Sequence, residues 1–220
     1  FRYVSPQEFK EFATLFNTKK TLKKTGNFPF GYKERKTAFK PGGMLAKKMA
    51  LTRYSVLKVG SWVFVHGGIS PDLAKKYSLD EINLYVRNWL LGSKDPKNKA
   101  HINELFHTDD DTCSPFWCRI YSDPEDWEEN NGRESFHKAI KFLNIKNNTN
   151  DIQGMIMGHT PQYMFGKGIN SECNRKLWRI DIGASKAFGE VQKDDSSVCN
   201  RKVQVLLIEN DDTCTVLKEK

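Results

Sequence analysis

Two short apolar runs, each stopped by a histidine among small residues, constrain this chain more than any other feature. Trp62-Val63-Phe64-Val65 runs into His66-Gly67-Gly68, and Met155-Ile156-Met157-Gly158 runs into His159-Thr160-Pro161. A continuous apolar run of this length suits a buried strand. A histidine at the C-terminal end of such a strand points into the crevice where α/β folds place their ligands. The flanking glycines let the backbone turn sharply and leave room for a metal or phosphate. Neutral imidazole is a common ligand for Zn, Mn or Fe type ions. Either histidine alone reads as well as a hydrogen-bonded structural residue; two in matching context point to one shared site. His101, His107 and His137 sit in polar or helical surroundings and receive no role.

The rest of the pattern predicts helices first and strands late. Ser5 caps a helix over residues 6–16, with Pro6 in its first turn and Phe9, Phe12 and Phe16 on one face. Residues 18–40 are basic, aromatic and turn-rich, which predicts an irregular connection. Pro41-Gly42-Gly43 opens a second helix to about Leu51. Residues 79–91 form an amphipathic helix, 93–114 a polar loop with the acidic run Asp109-Asp110-Asp111, and 133–143 a further helix. Strands are predicted over 153–157, 177–182 and 203–208, with 213–217 closing a hairpin. The expectation is one α/β (α+β) unit spanning residues 1–220.

Composition narrows the functional classes. The 220 residues carry a net charge of +8, with basic residues at Lys19-Lys20, Lys23-Lys24, Lys33, Arg35-Lys36, Lys40 and Lys47-Lys48. That stretch reads either as a contact surface for an anionic partner or as an ordinary solvated face. It contains no base-reading nucleic-acid motif. No run of ~18 apolar residues occurs, so no membrane span is expected. The five cysteines form no C-x-x-C pair, which favours reduced thiols and a cytoplasmic setting. Cys113 and Arg119 have the Cys-x5-Arg spacing of a cysteine-phosphatase loop. Between them lie Pro115, which has no N–H, and no glycine, so the loop cannot wrap a phosphate with its backbone.

Taken together, these segments resemble a known family. Trp62 to Pro71 is similar to the H-G-G-[LI]-x-P motif of the phosphoprotein phosphatases, a branch of the calcineurin-like metallophosphoesterases. Met157-Gly158-His159-Thr160-Pro161-Gln162 resembles their later G-H-T-P motif, and Trp178 to Ser185 the strand after it. With Phe39-Lys40-Pro41-Gly42-Gly43, the forms are most similar to the Shewanella-like (bacterial-like) phosphatases, over roughly residues 1–190. The resemblance implies part of a two-sheet β-sandwich flanked by helices, and metal-dependent hydrolysis of a phosphomonoester on a protein or small molecule. It implies His66 and His159 as ligands of the second of two divalent cations (Mn, Fe or Zn type), about 3.5–4 Å apart and activating a bridging water. Arg119 resembles the family's phosphate arginine, whose planar fork suits bidentate binding; Arg133, after Asn130-Asn131-Gly132, is a competing match. Asp181 reads as a partner orienting a ligating imidazole or as a cap on the turn before Gly183. Tyr163 and Phe188 line the substrate mouth or simply pack.

The family's earlier motifs, G-D-x-H-G, G-D-x-x-D-R-G and G-N-H-E, are missing from this sequence. Phe1-Arg2-Tyr3-Val4 corresponds to the segment shortly after G-N-H-E, so the chain reads as the C-terminal portion of such a domain. Two histidines make an incomplete metal site, and little activity is expected from these residues alone. The missing half, or a partner chain, is expected to cover the sheet edge. The alternative is a non-catalytic structural or interaction protein, such as a virion or scaffold component, that keeps part of the fold. A dinucleoside polyphosphate hydrolase shares the chemistry and differs only in substrate.

Overall fold

The structure, a computed structural model, describes residues 4–15, 28–106, 114–185, 188 and 201–219. Phe16, Lys19-Lys20, Lys23-Lys24, His107, Asp109-Asp110-Asp111, Cys113 and Cys199 lie outside the described residues. Packing divides the chain into two compact units, Phe1–Arg53 with Val86–Lys99, and Tyr54–Tyr85 with Ala100–Lys220.

The smaller unit is helical. Helix α1 (Pro6–Leu15) starts as the sequence predicts, with the Ser5 hydroxyl accepting from the Glu8 N–H at 3.1 Å. Its buried Phe12 meets Phe39 with ring centroids 5.7 Å apart. Phe39 ends α2 (Tyr32–Phe39), a helix in the stretch expected to be irregular. Only Ala38 of α2 is fully buried, so no apolar stripe announces it. Helix α3 (Met44–Thr52) begins after Pro41-Gly42-Gly43 rather than at it. The Gly42 N–H instead donates to the Leu90 carbonyl at 2.9 Å, and Arg87 Nε donates to the Ala50 carbonyl at 3.2 Å. These bonds join residues 86–99 to the N-terminal helices.

The larger unit is built on a five-stranded sheet in the order β1-β2-β3-β5-β4. Its strands are β1 (Val56–Val59), β2 (Trp62–Val65), β3 (Gly154–Met157), β4 (Asn170–Glu172) and β5 (Leu177–Arg179). Strands β2, β3 and β5 run parallel, flanked by antiparallel β1 and β4. The central strands are apolar on both faces because both faces are covered. A hairpin of β6 (Gln204–Glu209) and β7 (Thr213–Lys218) lies over one face, where Leu206, Ile208, Cys214 and Val216 pack on Trp62, Ile156 and Trp178. On the opposite face Val63, Met155, Met157 and Leu177 are fully buried. The expected mixed α/β class and partial two-sheet sandwich are both present.

The expected strands at 153–157, 177–182 and 203–208 and the hairpin are observed, while β4 was not expected because Asn170-Ser171-Glu172 has no β signature. Helix α5 (Leu79–Leu91) has the predicted bounds, and α8 (Gly132–Lys146) extends the predicted 133–143 at both ends. Besides α2, three helices form where none is expected: α4 (Pro71–Lys76), α6 (Pro96–Leu105) and α7 (Pro124–Glu129). Each starts as α1 does, with Ser or Asp before Pro. Ser70 Oγ, Asp95 Oδ1 and Asp123 Oδ1 accept from the N–H groups of Leu73, Lys97 and Glu125 at 3.2, 2.9 and 3.0 Å. Proline in the first turn lacks an N–H that would be unpaired anyway, and the preceding side chain satisfies another. Of the Ser-Pro and Asp-Pro pairs, Ser5, Ser70, Asp95 and Asp123 open helices, while Ser114-Pro115 opens only a turn.

Candidate metal centre at the strand ends

The register of the parallel strands brings the two histidines together. Val65 lies opposite Met157, and the Gly158 N–H continues the ladder to the His66 carbonyl at 2.9 Å. His66 is therefore one residue past the end of β2 and His159 two past the end of β3. Their rings meet edge to face, with centroids 4.9 Å apart and His66 Nε2 3.0 Å from His159 Nδ1. Two imidazole nitrogens on one tetrahedral ion, each about 2.0–2.1 Å from it, stand roughly 3.3 Å apart. The observed separation is a few tenths of an ångström shorter and is that of a hydrogen bond between the rings, so the strands bring two donor nitrogens together without holding them in a cation's geometry. Among the described residues, no cluster of three or more His, Cys, Asp or Glu side chains is placed to hold a metal. The pair is at most part of a site.

His159 holds a left-handed backbone, φ +69°, sparsely populated for residues other than glycine and recurrent at functional sites. Burial holds the His66 pKa below the ordinary imidazole value, with the Asp181 carboxylate pulling the other way. Asp181 follows β5 by two residues, so all three parallel strands deliver a polar side chain to the same end of the sheet. Its Oδ1 accepts from the Gly183 N–H at 2.9 Å, the turn-capping geometry, while its charge reaches His66.

The glycines of His66-Gly67-Gly68 are explained by the segment that crosses them. The Gly67 N–H donates to the Pro115 carbonyl at 2.8 Å, and a Cβ on Gly67 would stand 3.0 Å from backbone atoms of Phe116 and Cys118. A Cβ on Gly68 would meet the Tyr121 ring at 3.0 Å. This contact seats Pro115-Phe116-Trp117-Cys118 beside the end of β2; Arg119 follows in the chain, partly buried. Trp117 was read from sequence only as a neighbour of Arg119; its ring stands 5.2 Å from His159 at 90°. The competing Arg133 lies on α8, with Nη2 3.7 Å from the Glu172 carboxylate.

A support layer beneath the site was not legible in the sequence. Arg179, only 6% exposed, donates from Nε to the Tyr121 carbonyl and from Nη1 to Asn170 Oδ1 at 3.0 Å. The Tyr121 hydroxyl donates to the Ile69 carbonyl at 3.0 Å, fixing the chain just after the two glycines. Ser122 and Thr160 share a buried hydroxyl pair at 2.7 Å, and the Gln162 amide donates to both their carbonyls. No local pattern marks these residues, because their partners come from distant strands and loops. Tyr163 and Phe188 meet with centroids 6.3 Å apart, consistent with packing.

Comparisons with known proteins bear on the fold. No protein-family model matches the chain. The chain is 33% identical to the uncharacterized protein R398 of Acanthamoeba polyphaga mimivirus, over all of this chain and 86% of that protein. It is 32% identical to Shewanella-like protein phosphatase 2 of Arabidopsis thaliana, over 73% of this chain and 36% of the phosphatase. Among solved structures, a mutant cold-active protein tyrosine phosphatase superposes on 96% of this chain and 52% of its own, with a TM-score of 0.56 and 20% identity. The chain thus spans most of R398 and about a third to a half of the two phosphatases.

Proposed function

We propose a function from this premise: the chain belongs to one family with mimivirus protein R398 and carries part of the fold of the Shewanella-like phosphatases. On this reading it supplies the second-cation half of a phosphomonoester-hydrolysing site. His66 Nε2 and His159 Nδ1 hold the cation, Arg119 holds the phosphate, and Asp181 biases the electrostatics of His66 from the end of β5. When bound, a divalent cation pair supplies an activated water and neutralises phosphoryl charge. The chain's own residues orient the ligands, with Gly67 and Gly68 admitting the Arg119 segment and Trp117 closing one side of His159. The substrate is a phosphorylated protein or a small phosphoester, and the setting is cytoplasmic, consistent with Cys118, Cys173 and Cys214 being free thiols. No described helix is long and apolar enough to cross a membrane.

The observation that carries the reading is the 3.0 Å convergence of the histidine nitrogens at the ends of adjacent parallel strands. The remaining ligands then come from the complementary part of the fold, within a longer chain or on a partner. An apolar groove of about 730 Å³ lies between β6 and the face of the sheet, floored by Val59, Trp62, Phe64 and Ile156.

The test is zinc or manganese titration of this chain by calorimetry, beside His66→Ala and His159→Ala, followed by p-nitrophenyl phosphate turnover. Weak metal binding lost in both variants, with little turnover, is expected. Binding that ignores both substitutions overturns the site, and robust turnover by the isolated chain overturns the half-site reading. A second reading, a non-catalytic interaction protein on a partial phosphatase fold, is favoured by the match to R398 over 86% of its length, which leaves little of R398 for the other half.

A further inference from the structure

Charge in this molecule is segregated by unit: the sequence already shows a basic N-terminal stretch, and the fold adds residues 86–99 to it. Residues 1–53 and 86–99, which form the smaller unit, hold 17 of the 35 lysines and arginines and 4 of the 27 aspartates and glutamates, a net +13. The larger unit, with the remaining 18 basic and 23 acidic residues, is at −5. The overall +8 therefore understates a strongly cationic module attached to a mildly acidic one. Charge of this density on a small body attracts polyanions over a Debye length.

Geometry narrows the kind of polyanion. Helix α2 carries two adjacent stripes at helical spacing, Lys33 and Lys36 exposed to solvent and Tyr32, Arg35 and Phe39 beside them, with exposed Lys40 just past its end. The second stripe, with Lys36, Lys40 and Phe9, lines a groove of about 460 Å³. The Arg35 guanidinium lies over the Phe39 ring, 4.7 Å from its centroid, and Glu8 fixes it through a 2.8 Å bond. At the other end of α2, Phe28 stacks on Tyr32 with centroids 4.4 Å apart and an interplanar angle of 10°, and Phe28 and Phe30 remain 44% and 40% exposed. Lys47 and Lys48 add exposed charge on α3.

We propose that this cationic and aromatic face binds single-stranded nucleic acid without sequence preference. Stacked, half-exposed aromatic rings offer platforms for unpaired bases, and flanking lysines meet the phosphates, a combination that needs no base-reading motif. A duplex keeps its bases stacked inside and leaves the rings unused. An acidic protein surface is satisfied by the lysines and has no use for the aromatic groove. An anionic bilayer attracts the lysines but makes no use of paired, stacked rings. The proposal is independent of the phosphatase reading, because it uses no residue of the strand-end site.

The test is fluorescence anisotropy of a labelled sixteen-nucleotide oligothymidylate with the whole chain, between low and physiological salt. Binding that weakens with salt is expected, each neutralised phosphate contributing about −0.7 to the log–log slope. Lys36→Glu with Lys40→Glu weakens binding at least tenfold and flattens that slope. Phe28→Ala weakens it roughly five- to hundredfold, the range of one lost stacking contact, and leaves the slope unchanged. Circular dichroism establishes that both variants remain folded. The proposal is overturned by absence of binding at about 50 mM salt, by a Phe28→Ala variant equal to the parent, or by duplex DNA or phosphatidylserine vesicles binding as tightly as the single strand.

Discussion

Asp211 fastens the hairpin to the sheet, and its removal is the most quantitative test of how the second layer is held. It sits in the β6–β7 turn with φ +61°. Both carboxylate oxygens lie 2.9 Å from the Ser61 N–H, and its carbonyl accepts from Trp62 Nε1 at 3.1 Å. Ser61 is only 3% exposed, so its N–H has no water to fall back on when the carboxylate goes. Losing a charge-assisted bond to a buried donor costs about 1.5–3 kcal/mol. Placing alanine in the left-handed region, where aspartate is tolerated by local hydrogen bonding, adds about 1 kcal/mol. Asp211→Ala is thus expected to cost about 3 kcal/mol in all, a melting-point drop of about 6–12 °C for a chain of this size. Asp211→Asn keeps an acceptor and the turn preference and should cost under about 1 kcal/mol. Asp211→Gly relieves the backbone but not the orphaned N–H, and falls between them. The assay is urea unfolding followed by tryptophan fluorescence, since Trp62 and Trp178 lie beneath the hairpin. An alanine variant within about 1 kcal/mol of the parent, or an asparagine variant as damaged as alanine, would refute the reasoning.

Further outcomes follow from the support layer and the titrating groups. Arg179→Ala leaves the Tyr121 carbonyl and Asn170 Oδ1 without their donor, while Glu172 keeps Arg133 at 3.7 Å; a loss of about 2–3 kcal/mol is expected in urea unfolding, with Arg179→Lys giving little rescue because lysine lacks the planar fork. Burial raises the phenol pKa of both Tyr77 and Tyr121 above 10, and Glu104 raises that of Tyr77 further. Both phenols hold their protons more tightly folded than unfolded, so stability is full below pH 10 and falls as pH rises beyond it. Tyr77→Phe and Tyr121→Phe should each reduce that alkaline loss in a melting series across pH 8–11; unchanged alkaline sensitivity in both would dismiss these tyrosines as its source.

Much of the site was readable because its signals are local. A short apolar run closing on a histidine beside a glycine describes a buried strand and its exit, so β2, β3 and the positions of His66 and His159 at their ends could be named from the string. A proline after serine or aspartate is a local signal of the same kind: it precedes α1, α4, α6 and α7, and at Ser114-Pro115 it opens a turn instead. Helix α2 escaped because it buries a single alanine, and β4 because it pairs through its backbone rather than through β-forming side chains.

The sequence by itself determined the class of strand, the histidines at strand ends and the likeness to a phosphatase family, all properties of short windows. Only the tertiary structure decided that Val65 faces Met157 and so sets the two imidazoles 3.0 Å apart. It also decided that Arg179 props the segment beside them, that Asp211 reaches back to Ser61, and that residues 86–99 join the basic N-terminal helices in one +13 unit. Those outcomes depend on pairing register and on which surfaces are buried together. The energies that settle them are summed over contacts between residues dozens of positions apart, and no local window of sequence holds both partners.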